Sequence, residues 1–238
     1  MLHEDFEYEI RNDGTVEITE YWGKEKELVV PGEIDGHPVT TIGWASFAVG
    51  SELDLLYEGL SEEMADAAGQ GAYRTVVTKV ELPDSVTEIA DEAFVGCAFQ
   101  QFVIPESVTC IGSNAFWGCE NLAKIRIPEG VLEIKDRTFA WCTALTKAEL
   151  PDGVTKIGHY AFHGCTSLTA VELPEGMTEI GENAFKYCAA LKEIEIPDSV
   201  NCIGNRAFRP DVTLVVKPGS YAEGYAKQKG YPYKLKKS

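Results

Sequence analysis

The sequence predicts a repeat solenoid built mainly of short parallel strands, with a β-hairpin cap at its N-terminal end and a strand-helix cap at its C-terminal end. Two observations predict it. Pro83, Pro105, Pro128, Pro151, Pro174 and Pro197 follow one another at steps of 22, 23, 23, 23 and 23 residues, each preceded by an apolar-x-apolar pair such as Val80 and Leu82 or Ile194 and Ile196. After each proline come an apolar residue at the third position, Ile at the sixth and Phe at the eleventh, and in five copies a cysteine at the fourteenth: Cys97, Cys119, Cys142, Cys165 and Cys188. The alternation before the proline is that of a strand with one buried face, and the proline, lacking an N–H, ends it and turns the chain. One such coil cannot bury its own apolar face, so stacking must supply the core.

The elements follow in order. Residues 1–26 read as a hairpin cap, with Phe6, Tyr8 and Ile10 alternating before the turn signal Asn12-Asp13-Gly14 and Val16, Ile18 and Tyr21 after it. Residues 27–47 read as a diverged first coil, with Val29-Val30-Pro31, Val39, Ile42 and Phe47, enlarged by the turn Asp35-Gly36-His37-Pro38. Phe47 to Pro83 is a step of 36 residues where intact copies use 11 or 12. The span 48–76 is therefore either a degenerate coil or short helix packed on its neighbours, Ser61 being a candidate cap, or an insertion that shapes a partner site. Residues 77–208 hold the regular repeats. In 209–238, Val212 to Val216 read as a last strand, and a helix is expected from the cap Ser220, with Glu223 three residues on, to Gly230 and Pro232.

The run Leu168-Thr169-Ala170-Val171-Glu172-Leu173-Pro174, followed by Met177, Ile180, Ala184-Phe185 and Cys188, resembles the BspA-like class of bacterial leucine-rich repeats. The match extends over most of residues 77–208, with local departures at Thr138, which replaces Ala, and at Asp211, which replaces Cys. The resemblance implies an α/β-type leucine-rich repeat solenoid. It also implies a cell-surface or secreted protein acting in adhesion to host or neighbouring-cell proteins.

Composition bounds the function. Lys and Arg number 21 against 38 Asp and Glu, and a net charge of −17 disfavours nucleic acid and anionic membrane as partners. No apolar stretch approaches a membrane span, so direct membrane insertion is not expected. Residues 1–5 lack the pattern of a signal peptide, which leaves a cytoplasmic location open beside the surface location implied by resemblance. The cysteines of the repeat phase are expected as buried, unbridged thiols; Cys110 and Cys202 share another phase four coils apart, roughly 19 Å at ordinary strand spacing and too far to bond. With no Cys-x-x-Cys pair, a structural zinc site is not expected, and His159 and His163, four apart, read as surface decoration rather than metal ligands. Nucleophile motifs, phosphate loops and dinucleotide fingerprints are absent, so neither an enzyme nor a cofactor is expected.

What remains is a binding surface. Side chains two and four residues before each proline should face out of the sheet as two columns: Glu81, Val103, Arg126, Glu149, Glu172, Glu195 and Lys79, Gln101, Lys124, Lys147, Ala170, Glu193. The first four coils are mixed or basic and the last two acidic. Either this is a solvated face on which Lys and Glu of adjacent strands offset each other, or it is where a protein ligand binds a monomeric chain. Trp117, Trp141 and Tyr187, beside the cysteine phase, either pack between coils or form a second, aromatic contact strip. A structural spacer, and ion- or glycan-dependent recognition by the acidic coils, are the alternatives.

Overall fold

A computed structural model describes residues 2–3, 5–48 and 76–236. The chain coils into a solenoid with two ladders of mostly parallel strands. The first ladder uses the residues before each proline: Lys79–Glu81, Lys124–Arg126, Lys147–Glu149, Ala170–Val171 and Glu193–Glu195. The second, not foreseen from sequence, uses two-residue strands five and six positions after the proline: Glu88–Ile89, Cys110–Ile111, Glu133–Ile134, Lys156–Ile157, Glu179–Ile180 and Cys202–Ile203. The expectation for residues 48–76 lies outside the described residues, save Ala48 and Val76. The coils on either side of it stack directly, Glu27–Val29 pairing in parallel with Lys79–Glu81.

Inside, phenylalanine forms an unbroken column. Phe47, Phe94, Phe116, Phe139, Phe162, Phe185 and Phe208 are buried, with successive ring centroids 5.2 to 5.7 Å apart. Beside it the backbone is stitched from coil to coil, each Phe N–H donating to the residue before the next phenylalanine, at 2.9 Å from Phe94 to Ala115 and 2.7 Å from Phe185 to Ala207. Two backbone positions per coil, nine and thirteen past the proline, are left-handed in the five coils from Pro83 to Pro174, as at Asn114 (φ 56°) and Gly118 (φ 69°), and the ninth alone in the last, at Arg206 (φ 53°). They reverse the chain sharply enough to aim these donors at the following coil.

Both ladders are interrupted, and local sequence accounts for two of the gaps. The seventh position after the proline is Gly112, Gly158, Gly181 and Gly204; a Cβ at Gly181 would lie 2.4 Å from the carbonyl carbon of Gly158 in the coil before. Lys135 carries a long side chain at this phase, and there the second ladder breaks between Cys110–Ile111 and Glu133–Ile134, whereas the small Ala90 at the same phase leaves the pairing of Glu88–Ile89 with His37–Ile42 intact. The first ladder breaks on both sides of Gln101–Ile104, in the coil that is one residue short. Phe99 and Phe102 take up its interior and pack at 4.8 Å against each other, Phe102 also at 5.0 Å against both Phe94 and Phe116. A further gap falls between Ala170–Val171 and Glu193–Glu195, for which the structure offers no comparable cause.

The ends are closed differently. Phe6–Ile10 and Val16–Tyr21 form the antiparallel hairpin, and Val16–Tyr21 continues in parallel with His37–Ile42. A second hairpin, Glu33–Ile34 with His37–Ile42, turns on Asp35 (φ 53°) and Gly36 (φ 80°), the pair of positive φ values a two-residue turn demands. Arg11, held within the hairpin by Glu17 (2.9 Å), ties it to the coils through the Thr41 hydroxyl (2.9 Å) and Glu88 (3.6 Å).

At the other end the helix Tyr221–Lys229 starts at Ser220, whose hydroxyl accepts the Glu223 N–H, and stops at left-handed Gly230. Tyr225 and Tyr231 donate their hydroxyls to the carbonyls of Gly204 and Phe208, each at 3.0 Å, supplying partners that a further coil would have supplied. Beyond the helix, Tyr233–Leu235 adds a strand to Thr213–Val216. Among the described residues this is the one helix, and it is not long and apolar enough to cross a membrane.

Candidate functional site

The alternation before each proline places all twelve side chains of the two predicted columns at the exposed surface. Lys124 stands opposite Lys147 and Lys147 opposite Ala170, while Arg126 stands opposite Glu149. Across strands Arg126 and Lys124 attract Glu149, but no close ion pair forms there between neighbouring repeat strands. The close pairs run along the strands: Lys79 with Glu81 at 2.6 Å and Lys147 with Glu149 at 2.8 Å, the second contact holding the Glu149 carboxyl below its usual range. Arg126 turns to Glu106. Lys124 makes no ion pair among the described residues.

The acidic end of the columns is covered by a contact that sequence reading missed. The strand Tyr233–Leu235 brings Lys234 to Glu193 and Lys236 to Glu195 (3.1 Å), Asp198 (3.5 Å) and Glu175 (3.8 Å), so the charge gradient along the face is largely cancelled. The columns therefore divide into stretches with different surroundings. Gln101, Val103, Lys124, Arg126, Lys147 and Glu149 are brought together around a cleft of about 370 Å³ at the break in the first ladder. Val103 at its rim is 79% exposed, the largest exposure among the large apolar side chains described. Across Gln101 lies a second cleft, of about 510 Å³, with Glu27, Thr78 and Lys79. Glu172 lines a third, of about 340 Å³, with Lys147 and Ala170; Glu193 and Glu195 stand apart with their lysines.

The cysteines have structural positions. Each buried thiol of the repeat phase donates to the carbonyl of the phenylalanine one coil back, from Cys97 to Phe47 at 3.3 Å through to Cys188 to Phe162 at 3.1 Å. Burial pushes the Cys188 thiol up to about 12 and that of Cys142 higher still, which suits a packed group and not a nucleophile. Cys110 is partly buried beside Lys135 Nζ (3.3 Å), and Cys202 is exposed. Thr138, the departure from Ala, is buried with its hydroxyl donating to the Lys135 carbonyl at 2.9 Å. Among the described residues no group of three His, Cys, Asp or Glu is placed to hold a metal.

The histidines and aromatics divide. His159 is exposed, and its Nδ1 accepts the Glu182 N–H at 2.9 Å. His163, expected as surface decoration, is half-buried between Trp141 and Tyr187, with ring centroids 5.5 and 5.0 Å away, and burial lowers its pKa. Trp117 packs between coils, against the cluster of Ala45, Ala48 and Val95, whereas Trp141 and Tyr187 remain 40% and 51% exposed.

Comparison with known proteins places this geometry. The family model described as the BspA type leucine-rich repeat region matches residues 70–151 and 132–215, in six copies. A leucine-rich repeat protein of T. pallidum is 25% identical over 98% of this chain and 97% of its own, with a TM-score of 0.50. A leucine-rich cell surface protein of Faecalibacterium prausnitzii A2-165 is 20% identical, over 100% of this chain and 95% of its own, at a TM-score of 0.47. A search of curated proteins found no match.

Proposed function

Since the chain belongs to the BspA-type leucine-rich repeat family, we propose that it is a non-catalytic recognition module that binds a protein ligand through the face of the first ladder, at or outside a bacterial cell surface. Repeats of this kind generally serve as protein-interaction scaffolds, and the surface location rests on the family alone. The observation that carries the reading is the cleft beside Gln101–Ile104. There an exposed apolar residue, Val103, sits among Lys124, Arg126, Lys147 and Glu149, on the part of the face whose charge the C-terminal strand does not cancel. An apolar anchor within a polar rim is the arrangement that concentrates binding energy in protein interfaces.

The test is a pull-down against extracellular-matrix and cell-envelope proteins, comparing the native chain with one in which Lys124, Arg126, Lys147 and Glu149 are charge-reversed. Saturable binding that the folded variant loses supports the reading. Equal capture by both proteins, or none by either at concentrations where micromolar contacts register, favours a structural spacer instead.

A further inference from the structure

At a different phase of the coil from the sheet face lies a strip that the protein-binding reading does not use, and we propose that it binds carbohydrate, selectively a glycan ending in an acidic sugar. The strip is formed by the ninth, twelfth and thirteenth positions after the proline in the last four coils. At the thirteenth, Gly96, Gly118 and Gly164 occupy the left-handed backbone with φ between 69° and 74°, but Trp141 (φ 61°) and Tyr187 (φ 65°) hold the same conformation. A non-glycine residue there is strained, so the fold alone favours glycine at both places.

The two aromatics stand as partly exposed rings on either side of His163. The Trp141 ring lies against Gly164, where a Cβ would come within 2.7 Å of it, and His163 stands nearly perpendicular between Trp141 and Tyr187, at 72° and 78°. The rings step along the solenoid axis one coil at a time, with Trp141 and Tyr187 exposed.

Around the rings cations gather on a chain that is acidic as a whole. The twelve positions of the strip include Arg137, Lys186, Arg206 and Arg209 and no carboxylate. Arg137 lies over the Tyr160 ring at 5.0 Å and Lys186 over Tyr187 at 4.8 Å; neither makes an ion pair among the described residues. Of the neighbouring acids, Asp211 pairs with Arg209 at 2.9 Å, Asp136 accepts the His159 N–H at 2.7 Å and Glu182 accepts from the Asn183 amide at 3.1 Å, which leaves Arg137, Lys186 and Arg206 as the cations of the strip outside any ion pair among the described residues.

Two features select the ligand. A flat, exposed π-surface stacks on the C–H face of a pyranose ring, leaving its hydroxyl rim to polar side chains. Arg137 and Lys186, on different coils, each offer a cation to a sugar carboxylate, while the −17 charge of the chain opposes a dense polyanion such as nucleic acid.

Titration of the full chain with 3′-sialyllactose, a glucuronic acid-terminated disaccharide and lactose, followed by NMR, tests this. At least one acidic sugar should bind saturably and at least tenfold more tightly than lactose. Trp141→Gly and Tyr187→Gly place at their positions the residue that other coils carry there, so each should weaken binding at least tenfold with no fall in the thermal midpoint. Arg137→Gln with Lys186→Gln should erase the preference over lactose. The proposal is overturned if neither acidic sugar binds at millimolar concentration, if Trp141→Gly leaves binding intact, or if oligothymidylate binds the strip more tightly than the sugars. The sheet-face charge-reversal variant should bind these sugars normally, which keeps the two sites' outcomes separate.

Discussion

Each coil has two sides that are held together differently. On the turn side, the phenylalanine stack and its coil-to-coil hydrogen bonds run without a gap from Phe47 to Phe208. On the sheet side the first ladder breaks on both flanks of Gln101–Ile104 and again after Val171. Stacking is thus secured where side chains are fully buried and repeat in kind. The sheet can lose hydrogen bonds locally without losing the register of the coils, so its outward residues are free to vary.

The sharpest way to break this contrast is to compare truncations on the two sides. Phe162→Ala, in the buried column, should lower unfolding free energy by about 3–5 kcal/mol, whereas Val103→Ala on the sheet should stay within about 0.5 kcal/mol. Chemical denaturation measures both, and similar losses would show that the sheet carries more than its broken ladder suggests. A smaller effect is expected where coils approach most closely. Gly181→Ala should destabilise by about 1–3 kcal/mol through contact with the Gly158 backbone, and Lys135→Gly should close the interrupted second ladder, slowing amide exchange around Cys110 and Ile134.

The thiol column sharpens the comparison further. Cys142→Ala should cost about 1 kcal/mol, since the Phe116 carbonyl keeps a second donor in the Cys119 N–H at 3.2 Å. In the native protein a thiol reagent should modify Cys202 and then Cys110, and reach the five buried thiols only on unfolding. The smallest effect belongs to His163, whose pKa burial holds below the ordinary value of about 6.5. As pH falls through that value the unfolded chain takes up the proton first, so stability should drop; in His163→Gln that part of the acid-side slope should vanish.

Much of this is legible in the sequence, for definite physical reasons. Buried columns demand the same residue in every coil, so Phe and Cys declared themselves by period, and both caps were marked by turn and capping residues such as Asp13-Gly14 and Ser220. The second ladder was not legible, because a two-residue strand such as Glu179–Ile180 shows no alternation. Nor was Tyr233–Leu235, three exposed residues made a strand only by their partner. The short step between Pro83 and Pro105 was visible as arithmetic, but the cleft it opens depends on where Phe99 and Phe102 go. The aromatic strip was visible in part: Trp141 and Tyr187 stood out, but not the left-handed backbone beneath them or the cations beside them.

The unlike ends of the molecule bear on assembly. A stack of coils bounded by two bare coils would offer matching faces and so a template for head-to-tail growth, the kind of contact that yields open filaments. Here one face is an antiparallel hairpin and the other ends in a lone strand whose Lys234 and Lys236 are already turned onto the chain's own acids. The two faces differ in strand direction and in charge, so neither repeats the surface on which one coil stacks upon the next.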